Sequence, residues 1–106
     1  LELVGITVIR DYIQFLFDGP VLNMYTLPVI KIESKTITST DFGYYDALCR
    51  LIDKKITFAH QDEKEEQIMF KFESDTELFV SLKAKDRNCA EAVMLQLETG
   101  GKWNVW

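Results

Sequence analysis

Few side chains in this sequence could perform covalent chemistry. The chain holds one histidine, His60, and two cysteines, Cys49 and Cys89. A thiol beside an imidazole can act as a nucleophile, so Cys89 with His60 is the one pair that suggests an enzyme. Nothing adjacent to either cysteine indicates a base or a helix N-terminus that would activate the thiol. We therefore expect no catalytic residues, and we expect Cys49 to be a small core residue.

Metal and cofactor binding have equally little support in the sequence. Zinc sites use His and Cys ligands at close spacing, whereas His60 and the two cysteines have no neighbouring ligand. Gly100 and Gly101 follow a threonine and are typical of a hairpin turn, because no Lys-Ser/Thr pair follows them as a phosphate-binding loop requires. We expect neither a metal nor a cofactor.

The sharpest charge feature is the run of residues 62–66, in which Lys64 stands among four acids. Such a run between two strands is either a solvated hairpin loop that keeps a sheet edge soluble or a patch that attracts a basic protein surface. Both interpretations stay open at this point. The candidate partner-binding residues are Asp62, Glu63, Glu65 and Glu66, with Glu73, Asp75 and Glu77 as additions nearby in the sequence.

Composition excludes several classes of function. The 106 residues are 47% hydrophobic and carry a formal charge of −5. One domain with its own apolar core is expected at this size, and disorder is not. The negative charge argues against nucleic acid as a partner and suits a basic protein. No signal peptide or membrane-spanning run is visible, and two isolated cysteines fit a reducing compartment, so we expect a cytoplasmic protein.

The hydrophobic pattern predicts the elements that must position these residues. Period-two alternation dominates, as in half-buried strands, and only residues 41–53 change to helical spacing. We predict an α+β fold, mostly antiparallel β, with two similar β-meanders joined by one central helix. The predicted single domain, 1–106, comprises a first meander (1–38), the helix (41–53), a second meander (54–83) and a C-terminal hairpin (92–106).

The first meander differs from the second on its outward face. Leu16, Val21 and Tyr25 are apolar at positions where the second meander carries polar residues. Both faces of this hairpin should therefore be covered, either by the apolar stripe of the protein's own helix (Phe42, Tyr45, Leu48, Cys49 and Ile52) or by another molecule.

Several segments together resemble a known family. Residues 11–22 (DYIQFLFDGPVL), 46–52 (DALCRLI), 89–94 (CAEAVM) and 103–106 (WNVW) are similar to small bacterial immunity proteins encoded beside polymorphic toxins, including those of contact-dependent growth inhibition systems. The similarity covers most of the chain. It departs from the family pattern at Ala90, where a proline is expected.

The resemblance implies a cytoplasmic protein, without catalytic residues of its own, that binds and neutralises one cognate toxin domain. Toxins of such systems are often nucleases with basic clefts, which an acidic inhibitor complements. The resemblance supplies no binding motif, so the acidic candidates above rest on charge alone. The alternative is a non-catalytic scaffold that self-associates, for example as a homodimer, through Leu16, Val21 and Tyr25. An enzyme using Cys89 and His60 ranks third.

Overall fold

The computed structural model describes residues 2–86, 92–96 and 103–105. Ten strands and one short α-helix account for most of these residues. The strands are β1 (Leu3–Ile9), β2 (Tyr12–Phe17), β3 (Val21–Met24), β4 (Val29–Ile32), β5 (Lys35–Ile37), β6 (Ile56–Asp62), β7 (Gln67–Phe72), β8 (Thr76–Ser81), β9 (Val93–Gln96) and β10 (Trp103–Val105); helix α1 spans Tyr44–Cys49, and a 3₁₀ turn spans Ala84–Asp86.

The strands form two five-stranded antiparallel sheets. Sheet I has the order β1-β2-β3-β9-β10, and sheet II has the order β5-β4-β8-β7-β6. Alternating residues turn one face of each sheet toward a shared core, where the rings of Phe15 from sheet I and Phe72 from sheet II meet edge-on with centroids 6.5 Å apart. The prediction of a mostly antiparallel β fold with one helix is confirmed.

The strands between Leu3 and Ile37 divide between the two sheets. The strands β1, β2 and β3 are neighbours in sheet I, whereas β4 lies beside β8 in sheet II. After Met24 the backbone N–H groups of Tyr25 and Thr26 both donate to the carbonyl of Ala92, at 2.8 and 3.2 Å. Pro28 then has no N–H to continue a ladder, and the chain crosses to the second sheet.

The two sheets are linked at one corner. The Leu3 N–H donates to the carbonyl of Lys54 at 2.9 Å, and the Leu3 carbonyl accepts the N–H of Asp53 at 2.7 Å. Glu2 and Lys55 form an isolated antiparallel bridge beside them. The first residues of β1 therefore hold the segment that leads into β6.

The helix is shorter than the predicted 41–53. It begins after Gly43, whose φ of 85° is left-handed and interrupts a helical path from Asp41. It ends at Cys49, and the chain turns through Asp53, which has a φ of 75°, to reach the corner with Leu3. The left-handed φ at Gly43 sets the N-terminal limit of the helix. After Cys49, the N–H groups of Leu51 and Ile52 donate three residues back, to the carbonyls of Leu48 and Cys49, so the helix stops at six residues.

The apolar side of the helix also differs from the predicted stripe. The buried side chains are Tyr44, Ala47, Leu48 and, beyond the helix, Leu51. Phe42 and Tyr45 are exposed, and Cys49 is exposed as well, so the expectation that Cys49 is a core residue is wrong. The physical reason is the packing of Tyr44, which is buried in the core and whose hydroxyl donates to the carbonyl of Pro28, so the side of the helix with Tyr44 faces inward.

Candidate functional site

The four acids of residues 62–66 lie together on the hairpin loop between β6 and β7. Asp62 organises this loop, because its Oδ1 accepts the backbone N–H groups of both Lys64 and Glu65 at 3.1 Å. The side chains of Glu63, Glu65 and Glu66 are exposed. We call Asp62, Glu63, Glu65 and Glu66 the acidic loop.

The loop is also tied to the neighbouring strand. The carbonyl of Glu66, a residue with a left-handed φ of 51°, accepts the backbone N–H of Leu82 at 2.8 Å. The Asp62 carboxylate at one end and the backbone bond of Glu66 at the other restrict the conformations of this short loop. The carboxylates of Glu63 and Glu65 are therefore presented from a defined turn.

Glu73 and Asp75 do not join the acidic loop. They follow β7 at its other end, and six residues of strand separate the two ends by roughly 17–20 Å. Glu73 is also engaged locally, since its Oε1 accepts the backbone N–H of Lys55 at 3.2 Å. The length of the predicted strand is a signal in the sequence that already separates these two groups of acids.

Glu77 lies between two lysines on the outer face of sheet II. It is the cross-strand partner of Lys71 on β7 and of Lys31 on β4. Alternating charges on adjacent strands compensate one another. Glu77 therefore does not add a net negative charge to a patch.

The outer face of sheet I carries the apolar residues singled out from the sequence. Leu16 and Val21 are cross-strand partners, and the rings of Tyr12 and Tyr25 lie 5.1 Å apart. All four side chains are half-buried. The buried residues of α1 belong to the core between the sheets, so the helix stripe is not what covers this face.

An apolar cavity of about 260 Å³ lies between the sheets beside β6. Its walls are the side chains of Phe17, Leu22 and Leu95 from sheet I and of Ile56, Ile68 and Phe70 from sheet II, with Ala59 and His60 on the β6 side. Sequence reasoning missed this feature. Alternation indicates which residues point inward, but it does not reveal where two inner faces fail to meet.

Of the candidate catalytic pair, only His60 lies among the described residues. His60 is exposed on β6, where its ring stacks on that of Phe58 at 6.1 Å and 21°. Cys89 lies outside the described residues.

Within residues 2–86, 92–96 and 103–105, no group of three or more His, Cys, Asp or Glu side chains is arranged to hold a metal ion. Within the same ranges, no helix has the length and apolarity to cross a membrane.

Comparisons of the chain with protein-family models, with curated proteins and with solved structures gave no match.

Proposed function

We propose that this protein is a cytoplasmic immunity protein that binds a cognate toxin domain and neutralises it by stoichiometric, non-covalent inhibition. The observation that carries the proposal is the acidic loop. Three exposed glutamates follow an aspartate that fixes the turn through two backbone hydrogen bonds. The partner that this surface suits is a basic protein domain, and a nuclease is the leading candidate because its cleft binds phosphates.

Electrostatics supports a protein partner of this kind. The chain carries a formal charge of −5, and the acidic loop concentrates four of its carboxylates at one end of sheet II. Complementary charge raises the rate of diffusional encounter and excludes partners of the wrong sign. Inhibition follows either from occupation of a basic cleft or from steric occlusion next to it.

The proposed mechanism makes and breaks no covalent bonds in this chain. The ring of His60 stacks on that of Phe58, and Cys89 lies outside the described residues. The role of the fold is to present the loop. The prediction of two similar meanders, residues 1–38 and 54–83, remains part of this proposal, and the chain-order adjacency of β1–β3 in sheet I and of β6–β8 in sheet II supports it.

Co-expression tests the proposal. A toxin domain encoded by the gene next to this one is expressed in a host with and without this protein, and growth is followed. Growth that is restored only with this protein supports the proposal, and the purified pair should form a 1:1 complex. Continued growth arrest with both proteins soluble contradicts it.

A second candidate is a scaffold that self-associates through the outer face of sheet I. The observation in its favour is the half-buried apolar set of Leu16, Val21 and Tyr25. Sedimentation velocity distinguishes the two functions. A scaffold forms a dimer that Leu16→Lys or Tyr25→Lys dissociates, whereas an immunity protein of the kind proposed above needs no dimer.

A further inference from the structure

Among the described residues, strand β6 is an edge strand of sheet II. Among the described residues it pairs along its length with β7 only, apart from the corner at Lys55. Its residues 57–60 are exposed, including Phe58 at 52%, and they contain no proline, lysine or arginine. Edge strands of soluble proteins are normally short or charged, because their backbone N–H and C=O groups can pair with another chain.

The opposite edge of sheet II, formed by β5, is short and charged in the usual way. Strand β5 has only three residues and begins with Lys35. Strand β6 has seven residues, and its single carboxylate, Asp62, is the last of them. A β-bulge lies between Ile56 and Phe58, which leaves the later residues in regular register with β7. The exposed backbone of residues 57–60 is therefore suited to accept a further strand.

The apolar cavity adjoins this edge. Ala59 lies on the inner face of β6, opposite Phe70, and both residues line the cavity. A strand added beside β6 would direct alternate side chains to the same inner face. Main-chain pairing supplies affinity in such complexes, and a pocket for an alternate side chain supplies specificity.

The corner bridge indicates the direction of the added segment, and the charge of the acidic loop indicates its chemistry. The corner bridge between Glu2 and Lys55 is antiparallel, so an antiparallel segment beside β6 continues the local pattern. Its N-terminal end then lies next to the acidic loop, which begins at Asp62, the last residue of β6. Lysine or arginine at that end complements Glu63 and Glu65.

We propose that β6 accepts an extended segment of the partner protein as an additional antiparallel strand of sheet II, with one apolar side chain in the cavity and basic residues against the acidic loop. This inference rests on the proposed function for the identity of the partner. It adds the mode of recognition and the chemistry of the recognised segment.

The probe is a synthetic peptide of about eight residues, in which two lysines precede alternating leucine and threonine. Binding to the full chain is measured by fluorescence polarisation, and amide hydrogen exchange is followed by NMR. The expected result is saturable binding that slows exchange of alternate backbone amides of β6 and leaves those of β1 unchanged. A peptide with N-methyl groups at alternate amides should bind at least about tenfold more weakly, because it cannot complete the ladder.

Variants of the protein separate the cavity from the charge. Ala59→Trp should obstruct the cavity mouth and weaken binding at least about tenfold, whereas Val8→Trp on the exposed edge of β1 should not change it. Glu63→Lys with Glu65→Lys should weaken binding by a similar factor, whereas Asp11→Lys with Glu33→Lys makes the same change of net charge and should have little effect.

Three results overturn the inference: no binding of the peptide, binding without protection of β6 amides, or protection of these amides in a dimer of the chain without peptide. The last result would assign the edge to a second copy. If the peptide does not bind but the protein still neutralises a toxin, strand addition to β6 is wrong and the proposed function stands. Peptide binding without neutralisation of a toxin removes the proposed function and leaves the docking site.

Discussion

The hydroxyl of Tyr44 donates a 2.6 Å hydrogen bond to the backbone carbonyl of Pro28. Tyr44 is the first residue of α1 and is 1% exposed, and Pro28 lies on the segment that crosses from sheet I to sheet II. Pro28 leaves the ladder because it has no N–H, and its carbonyl finds a partner in the helix. This bond fixes the helix against the crossing.

Tyr44→Phe is expected to lower the free energy of unfolding by about 1–3 kcal/mol, because the carbonyl of Pro28 is left buried without its donor. Urea denaturation followed by circular dichroism measures this change. Tyr45→Phe is the matched control, since Tyr45 is 46% exposed, and it should alter stability by less than about 0.5 kcal/mol.

Tyr44 also affects how the free energy of unfolding depends on pH in alkaline solution. Burial, with a smaller contribution from the neighbouring Tyr45, raises the pKa of the Tyr44 phenol above its ordinary value of 10.0. A raised folded-state pKa gives stabilisation that is complete below about pH 10 and is lost as the pH rises toward the folded-state value. The free energy of unfolding of the wild type should therefore fall more steeply above about pH 10 than that of Tyr44→Phe. Parallel pH profiles would contradict this assignment.

Asp62 has a structural role that can be separated from its charge. Its Oδ1 accepts two backbone N–H groups of the acidic loop. Asp62→Ala should cost about 0.5–1.5 kcal/mol, whereas Asp62→Asn keeps an acceptor oxygen and should cost less. Thermal unfolding of the two variants tests this difference. Equal losses in both would show that the charge, not the turn, is what the fold requires.

Charge reversal in the acidic loop should act on the rate of association with the toxin domain. Glu63→Lys with Glu65→Lys is expected to lower the association rate constant at least about tenfold at low salt and to reduce its dependence on salt. Stopped-flow mixing measures both quantities. Asp11→Lys with Glu33→Lys changes net charge equally and should have a smaller effect, so equal effects would place the contact elsewhere.

Because the thiol of Cys49 is exposed, we expect it to react with a thiol reagent in the native protein, whereas a core cysteine would not. Cys49 lies on the solvent side of α1. A maleimide should label it in the native protein at a rate close to that of an unstructured cysteine peptide. Peptide mapping identifies the labelled residue. Labelling of Cys49 only after denaturation would contradict the orientation of the helix.

The strands could be predicted from the sequence because alternation is a local property. The pattern that groups Ile13, Phe15 and Phe17 on one face matches β2, in which all three are buried. The transfer of β4 to sheet II could not be predicted in this way. It depends on pairing with β8, far along the chain, and periodicity carries no information about the partner of a strand.

The helix and the candidate site were also predicted only in part, because some of their features depend on residues far apart in the chain. Helical spacing correctly located a helix near residue 45, but the left-handed backbone at Gly43 moved its start, and the buried side contains Tyr44, Ala47 and Leu48. The acidic loop was visible as a run of charge, whereas the turn made by Asp62 and the cavity beside Ala59 depend on backbone direction and on the fit of two sheets. A run of charge involves neighbouring positions in the sequence, whereas a cavity is lined by residues that are far apart in the chain.

Titration of a toxin domain with this protein tests the central claim most directly. The activity of the domain encoded by the neighbouring gene is measured at increasing molar ratios, at concentrations well above the dissociation constant. Tight stoichiometric inhibition predicts a linear fall that reaches zero at one equivalent. Full activity in the presence of several equivalents of folded protein would contradict the claim.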